Sequence, residues 1–162
     1  MIKKIYRNLA VLFKPLTIHT EAIVLDNVWE KVKLNANSGK IKKWYVMTPA
    51  NYEFSRVFLN IKMSKPEFSK KLKERYLWLL NNNQRLELHV HLSPIMNITA
   101  KEQEKLILES VNWMKQELNI DVKEFVPGWW RYNADTLKIL KKCNLKLIKP
   151  ADYKFGHDFD WI

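Results

Sequence analysis

The chain has 162 residues, one domain's worth at ~150 residues per domain, and enough to bury a core without disulfides or a structural metal. Hydrophobic residues at 47% and charged residues at 28% exclude wholesale disorder. A single cysteine, Cys143, excludes a disulfide framework, a Cys-rich zinc ribbon and a CxxC redox pair, and the three scattered glycines, Gly39, Gly128 and Gly156, leave no place for a GxGxxG or Walker A loop. The formal charge is +11, but its lysines spread along the whole chain, which describes a solvated surface, so a nucleic-acid partner is not expected.

No apolar run approaches the ~20 residues of a membrane span. The basic start, Met1 to Arg7, is followed by an apolar piece, Leu9 to Phe13, too short for the core of a signal peptide. The expected location is therefore cytoplasmic.

In chain order, Leu16 to Thr20 is a short β-compatible run after Pro15. Asp26 to Leu34 predicts a short helix with Asp26 as N-cap, ended by the turn cluster Asn35 to Gly39. Lys43 to Thr48 is rich in aromatic and β-favouring residues and stops at Pro49, as a strand would. Pro66 to Leu80 is helical, with Phe68, Leu72, Tyr76 and Leu79 at spacings of four and three. Leu86 to Leu92 alternates with period two. Thr99 and Glu102 form a capping box ahead of a long helix carrying Leu106, Val111, Met114 and Leu118. Val122 to Val126 is a strand broken by Pro127-Gly128, Asn133 caps a further helix, and Leu145 to Ile148 is a last apolar strand. Five strands joined by helical crossovers predict an α/β fold with a mostly parallel sheet, open or curled into an irregular β/α barrel.

The polar residues of interest stand where these strands end. Thr17-Ile-His19-Thr-Glu21 closes the first, His89-Val-His91 the third, and Pro127-Gly-Trp129-Trp130 the fourth. In parallel α/β folds the carboxyl ends of the strands share one rim, where sites form. Residues two apart on a strand share a face, so His19 with Glu21, and His89 with His91, offer three imidazoles and a carboxylate. That set suits zinc or another divalent metal, which makes hydrolysis the natural reaction class. The alternative for the same residues is a hydrogen-bonded polar interior. Trp129 and Trp130 form either an aromatic wall beside a ligand or a cap on the core. Arg131 can orient a substrate anion or hydroxyl. His157, Asp158 and Asp160 gather late in the chain and offer an acid, a base or a further ligand.

On these residues the chain resembles the polysaccharide deacetylase (NodB-homology) family. Glu87-Leu-His-Val-His91 is similar to the family's second motif, and Phe125-Val-Pro-Gly-Trp-Trp-Arg131 with Asn133, Thr136 and Leu137 is similar to its third. Thr17 to Glu21 falls where the first motif would, and Trp44 to Pro49 looks like the strand after the first family helix. The first-motif aspartates are replaced by His19 and Thr20, the second metal histidine by Ile95, and the third-motif arginine by Val126. Only His91 carries over as a metal ligand. The late Leu-His motif has no clear counterpart, so the resemblance implies a single deacetylase-like domain over 1–162, truncated at its C-terminal end.

The resemblance implies a metal-dependent hydrolase acting on acetyl groups of a carbohydrate-like small molecule or glycan, with the centre rebuilt from His19, Glu21, His89 and His91. Glu21 or Asp158 is the candidate base and His157 the candidate acid. Trp129, Trp130 and Arg131 are the candidate substrate contacts. Two alternatives stand beside this reading: a non-catalytic glycan-binding barrel, and another metal-dependent amidohydrolase, since Leu88-His-Val-His-Leu92 also looks like that family's strand motif.

Overall fold

The computed structural model describes residues 16–92, 98–152 and 155–158. Six strands form one sheet: β1 (Leu16–Thr20), β2 (Ile41–Val46), β3 (Arg85–Val90), β4 (Glu124–Pro127), β5 (Lys146–Leu147) and β6 (Phe155–His157). The order across it is β5-β4-β3-β2-β1-β6, and every pairing is parallel. With β5 and β6 at its two edges, the sheet is not closed into a barrel. The helices are α1 (Asp26–Asn37), α2 (Tyr52–Phe58), α3 (Lys65–Asn81), α4 (Ala100–Leu118) and α5 (Ala134–Lys142).

Capping chemistry fixes three helix starts. Ser64 with Glu67, Thr99 with Glu102, and Asn133 with Thr136 each form a reciprocal box at the start of α3, α4 and α5. The start of α1 differs from expectation. Leu25 is its N-cap and makes no side-chain cap bond, while Asp26 is the first helical residue. The Asp26 carboxylate instead pairs with Arg75 and with Lys71, the latter at 2.8 Å. α1 also runs through the predicted turn cluster to Asn37.

The two faces of the sheet differ. One carries Ile18, Trp44, Val46, Leu86, Leu88, Val90 and Phe125, all nearly inaccessible, and packs on Val28 and Val32 of α1, Leu72 and Tyr76 of α3, Ile107 and Met114 of α4, and Ile139 of α5. From β1 to β5 each strand is followed by its neighbour in the sheet, and the right-handed crossover that parallel strands favour puts the connecting helices on one side. The other face carries His19, Tyr45, Glu87, His89, Glu124 and Val126, which sit side by side because the strands pair His19 with Tyr45, Tyr45 with Glu87, and His89 with Val126. A much smaller apolar cluster of Tyr45, Val126 and Ile148 lies here, with Trp130 against it.

Two elements were not anticipated. Pro49–Asn51 is a 3-10 turn capped by Thr48 and leads straight into α2. β6 is a sixth strand beyond the five expected, and it lies parallel to β1 with His157 opposite His19. Leu9 to Phe13, Ile95, Asp160 and Trp161 lie outside the described residues.

Candidate metal centre

The carboxyl ends of β1, β3, β4 and β6 meet on the second face. β1 stops at Thr20, and Glu21 occupies the bend that follows rather than a strand position. That bend is clamped from β6. The Asp158 carboxylate, fully buried, accepts the Glu21 N–H at 2.9 and 3.0 Å and the Ala22 N–H at 2.7 Å. A side chain 137 residues away thereby sets the Glu21 backbone.

The Glu21 Oε1 atom lies 2.7 Å from His91 Nε2, 3.0 Å from His157 Nε2 and 3.2 Å from His89 Nε2, and the His89 and His91 Nε2 atoms are 3.2 Å apart. His89 Nδ1 is 3.1 Å from the Val126 carbonyl. A carbonyl only accepts, so Nδ1 carries the proton and the neutral ring has a bare lone pair on Nε2. That lone pair faces a carboxylate oxygen. Glu21 Oε2 is buried with no hydrogen-bond partner, and so is His91 Nδ1. Three partners crowd one carboxylate oxygen while the other has none, an arrangement short of positive charge. Ligand atoms around a tetrahedral zinc stand roughly 3.3 Å apart, given bonds of about 2.0–2.1 Å. Glu21, His89 and His91 come close to this spacing, and the three are near enough to hold one ion. The residues fit a divalent cation.

The electrostatics agree. Burial works against the Glu21 carboxylate, but the imidazoles packed around it, His157 first, hold it well below the usual carboxylate range. Burial pushes His91 down to about 4, against the pull of Glu21. Burial, helped by the neighbouring His89 and His157, pushes His19 down to about 2. Burial pushes Asp158 up to about 7, against its bonds to the Glu21 and Ala22 N–H groups. His91 and His19 are therefore neutral at physiological pH, the form in which imidazole binds a metal.

The expected residues fall into three positions. Glu21, His89 and His91 form the compact group. His19 stands beside it instead of within it, its ring 5.1 Å from that of His89 and 5.7 Å from that of His157. His157, the most accessible of the four histidines, bonds Glu21 through Nε2 and has Nδ1 3.4 Å from Asp158 Oδ1. Trp130 sets its ring against His19 at 5.1 Å, and Trp129 stands edge-on to His91 at 5.2 Å with 42% of its surface exposed. Both tryptophans have positive φ, at 57° and 50°, so a sharp turn after β4 presents them at the rim. Arg131 is exposed and lies over the Trp129 ring at 5.6 Å.

Sequence reasoning missed what holds His91. Phe54 of α2 stacks on its ring at 3.7 Å and 14°. Asn51 donates to its carbonyl at 3.0 Å. Gly128 packs so closely that a Cβ there would meet His91 Nδ1 at 2.3 Å. The signal for the first two was Thr48-Pro49, an N-cap followed by a proline suited to a first turn, although it was read only as the end of a strand.

No protein-family model matches the chain, and no curated protein does. Solved structures do. The Xyl-CE4 domain of a multidomain xylanase from the hindgut metagenome of Trinervitermes trinervoides aligns with a TM-score of 0.54 at 13% identity, over 83% of this chain and 55% of that one. A CE4 family pseudoenzyme from Bacillus anthracis aligns with a TM-score of 0.51 at 12% identity, over 85% and 43%. A mutant of that pseudoenzyme with restored enzymatic activity aligns equally well, over 85% and 45%. The chain shares the fold of CE4 family domains. It spans about half the length of these structures. Among the described residues, no helix is long and apolar enough to cross a membrane.

Proposed function

We propose that the protein is a metal-dependent hydrolase that removes acetyl groups from a carbohydrate-like substrate, with Glu21, His89 and His91 holding the cation. The observation that carries this reading is the convergence of their three ligand atoms at the strand-end rim, with the His89 Nε2 lone pair turned inward. Two imidazoles and a carboxylate suit zinc, and leave a position for water or substrate. A cation held there supplies Lewis acidity and activates water near neutral pH.

The other residues have distinct roles. Glu21 is too acidic in this setting to serve as the base, because a general base works best when it titrates near the working pH. His157 is placed for proton transfer, since it is accessible, adjoins Glu21 and has Asp158 behind its Nδ1. It takes a proton from the attacking water and returns it to the leaving amine or alcohol. Asp158 is a positioning residue, fixing both the His157 ring and the Glu21 backbone. His19 stays neutral and completes the polar floor. Trp129 and Trp130 give a sugar ring flat surfaces to stack on. The CE4 likeness supports the substrate class, one of the similar structures being a domain of a xylanase.

A second reading, non-catalytic glycan binding, is favoured by the exposure of Trp129 and by the likeness to a pseudoenzyme. An acetate-release assay on N- and O-acetylated sugars, with zinc restored, separates the two. Release is expected from the wild type, with His157→Gln at least about 100-fold slower, the usual range for loss of an acid–base group. No release by protein carrying a full equivalent of zinc leaves glycan binding as the function.

A further inference from the structure

Beside the metal centre, a groove of about 300 Å3 opens between the end of β3 and the starts of α4 and α5, lined by Leu92, Ile98, Gln103, Arg131, Asn133 and Thr136 among others. Gln103 is 95% buried, being 5% exposed, and its amide is half used: Oε1 accepts the Thr136 hydroxyl at 2.7 Å, while the NH2 has no protein partner among the described residues. The carboxylates nearby in sequence are engaged elsewhere. Glu102 is bound to the Thr99 cap, Asp135 to Lys138 and Glu104 to Lys142. Arg131 has no carboxylate within ion-pair range among the described residues; its guanidinium rests on Trp129. The groove thus offers an unmatched cation and an unmatched amide donor beside the apolar Leu92 and Ile98. Trp129 meets both the Arg131 guanidinium and the His91 ring, so the groove lies one tryptophan away from the metal centre.

We propose that this groove is a subsite for the carboxylate of an acidic sugar, one residue along the glycan from the acetylated unit at the histidine cluster. The proposal rests on the carbohydrate reading above and sharpens it: the substrate is an anionic glycan. The guanidinium takes the carboxylate in a charge-assisted pair, the Gln103 NH2 donates to the same group, and the apolar wall covers the sugar ring. The net charge of +11 draws such a chain toward the protein.

The test compares two acetylated tetrasaccharides by calorimetry, with metal-loaded protein: a hyaluronan tetrasaccharide, which carries carboxylates, and chitotetraose, which carries none. The acidic one is expected to bind about tenfold more tightly, as one charged hydrogen-bonded contact would give. Arg131→Gln should remove most of that preference. Gln103→Glu should also remove it, because it keeps the acceptor for Thr136 but turns the donor into a like charge. Lys33→Gln, an equal loss of charge on α1, should leave it unchanged. Equal affinity for the two sugars overturns the proposal, as does failure to bind either. So does a preference that survives both groove variants, or one that Lys33→Gln reduces as much. A preference abolished in the groove variants, with no acetate released, upholds the subsite while the hydrolase reading fails.

Discussion

Two polar clusters, each built around buried or half-buried carboxylates, lie on the same face of the sheet, one near each end of the strands. The lower one joins Lys43, Tyr45, Arg85, Glu87 and Glu124. Glu87 bonds Arg85 through Oε1 and accepts the Lys123 and Glu124 N–H groups at 2.8 Å through Oε2. Glu124 in turn takes the Tyr45 hydroxyl and the Lys43 ammonium. Each carboxylate there has donors on it. The upper cluster, Glu21 with the histidines, has the His89 lone pair facing a carboxylate oxygen and the other oxygen left over. Both clusters carry the cost of burying charge. The lower one offsets it with its own partners and so acts as structure, whereas the upper one is complete only when something positive joins it.

Breaking one member of each cluster tests that contrast most strongly. His91→Ala should weaken zinc binding by at least about 100-fold, since even neighbours of a ligand contribute 10–100-fold, as measured by competition with a chelating dye. Glu87→Ala should leave zinc affinity unchanged but lower the unfolding free energy by about 2–3 kcal/mol in a urea titration, because two backbone N–H groups and Arg85 lose their acceptor. If Glu87→Ala lowered zinc affinity as His91→Ala does, the division between the clusters would be wrong.

A subtler change acts on the upper cluster alone. Gly128→Ala adds one methyl group against His91 Nδ1 and must shift the ring. Zinc affinity should fall about tenfold with little change in stability, and chelator competition beside a thermal melt reads both.

A last expected effect concerns pH. His19 titrates near 6.5 when unfolded and is pushed down to about 2 in the fold. Between those values the unfolded chain binds a proton that the folded chain does not, so this residue makes stability fall as pH drops below 6.5. His19→Asn should flatten the stability profile of the metal-free protein between pH 6.5 and 4. An unchanged slope would mean that the His19 imidazole is not buried as described.

Much of this arrangement was legible in the residues. Periodicity marked α3 and α4, the capping box at Thr99 and the cap at Asn133 marked two helix starts, and alternation marked β3, because these signals are local and travel with a few consecutive side chains. The HxH of β3 pointed at the rim for the same reason. The short pieces were harder. β6 has three residues and one is glycine, so it carries no pattern of its own and exists only through its pairing with β1. α2 is a single seven-residue helix whose purpose is to bring Phe54 onto His91.

By itself, then, the sequence determined an α/β chain with a parallel sheet and a set of metal-suited side chains at the strand ends, since residue type and spacing decide what each segment can form. Only the tertiary structure decided which of those side chains meet. Glu21 turns toward His89 and His91 because Asp158, far along the chain, grips its backbone, and His19 is set aside because its strand position places it beside the group. Contacts between residues this distant are fixed by how the strands line up in the sheet, and no local pattern encodes them.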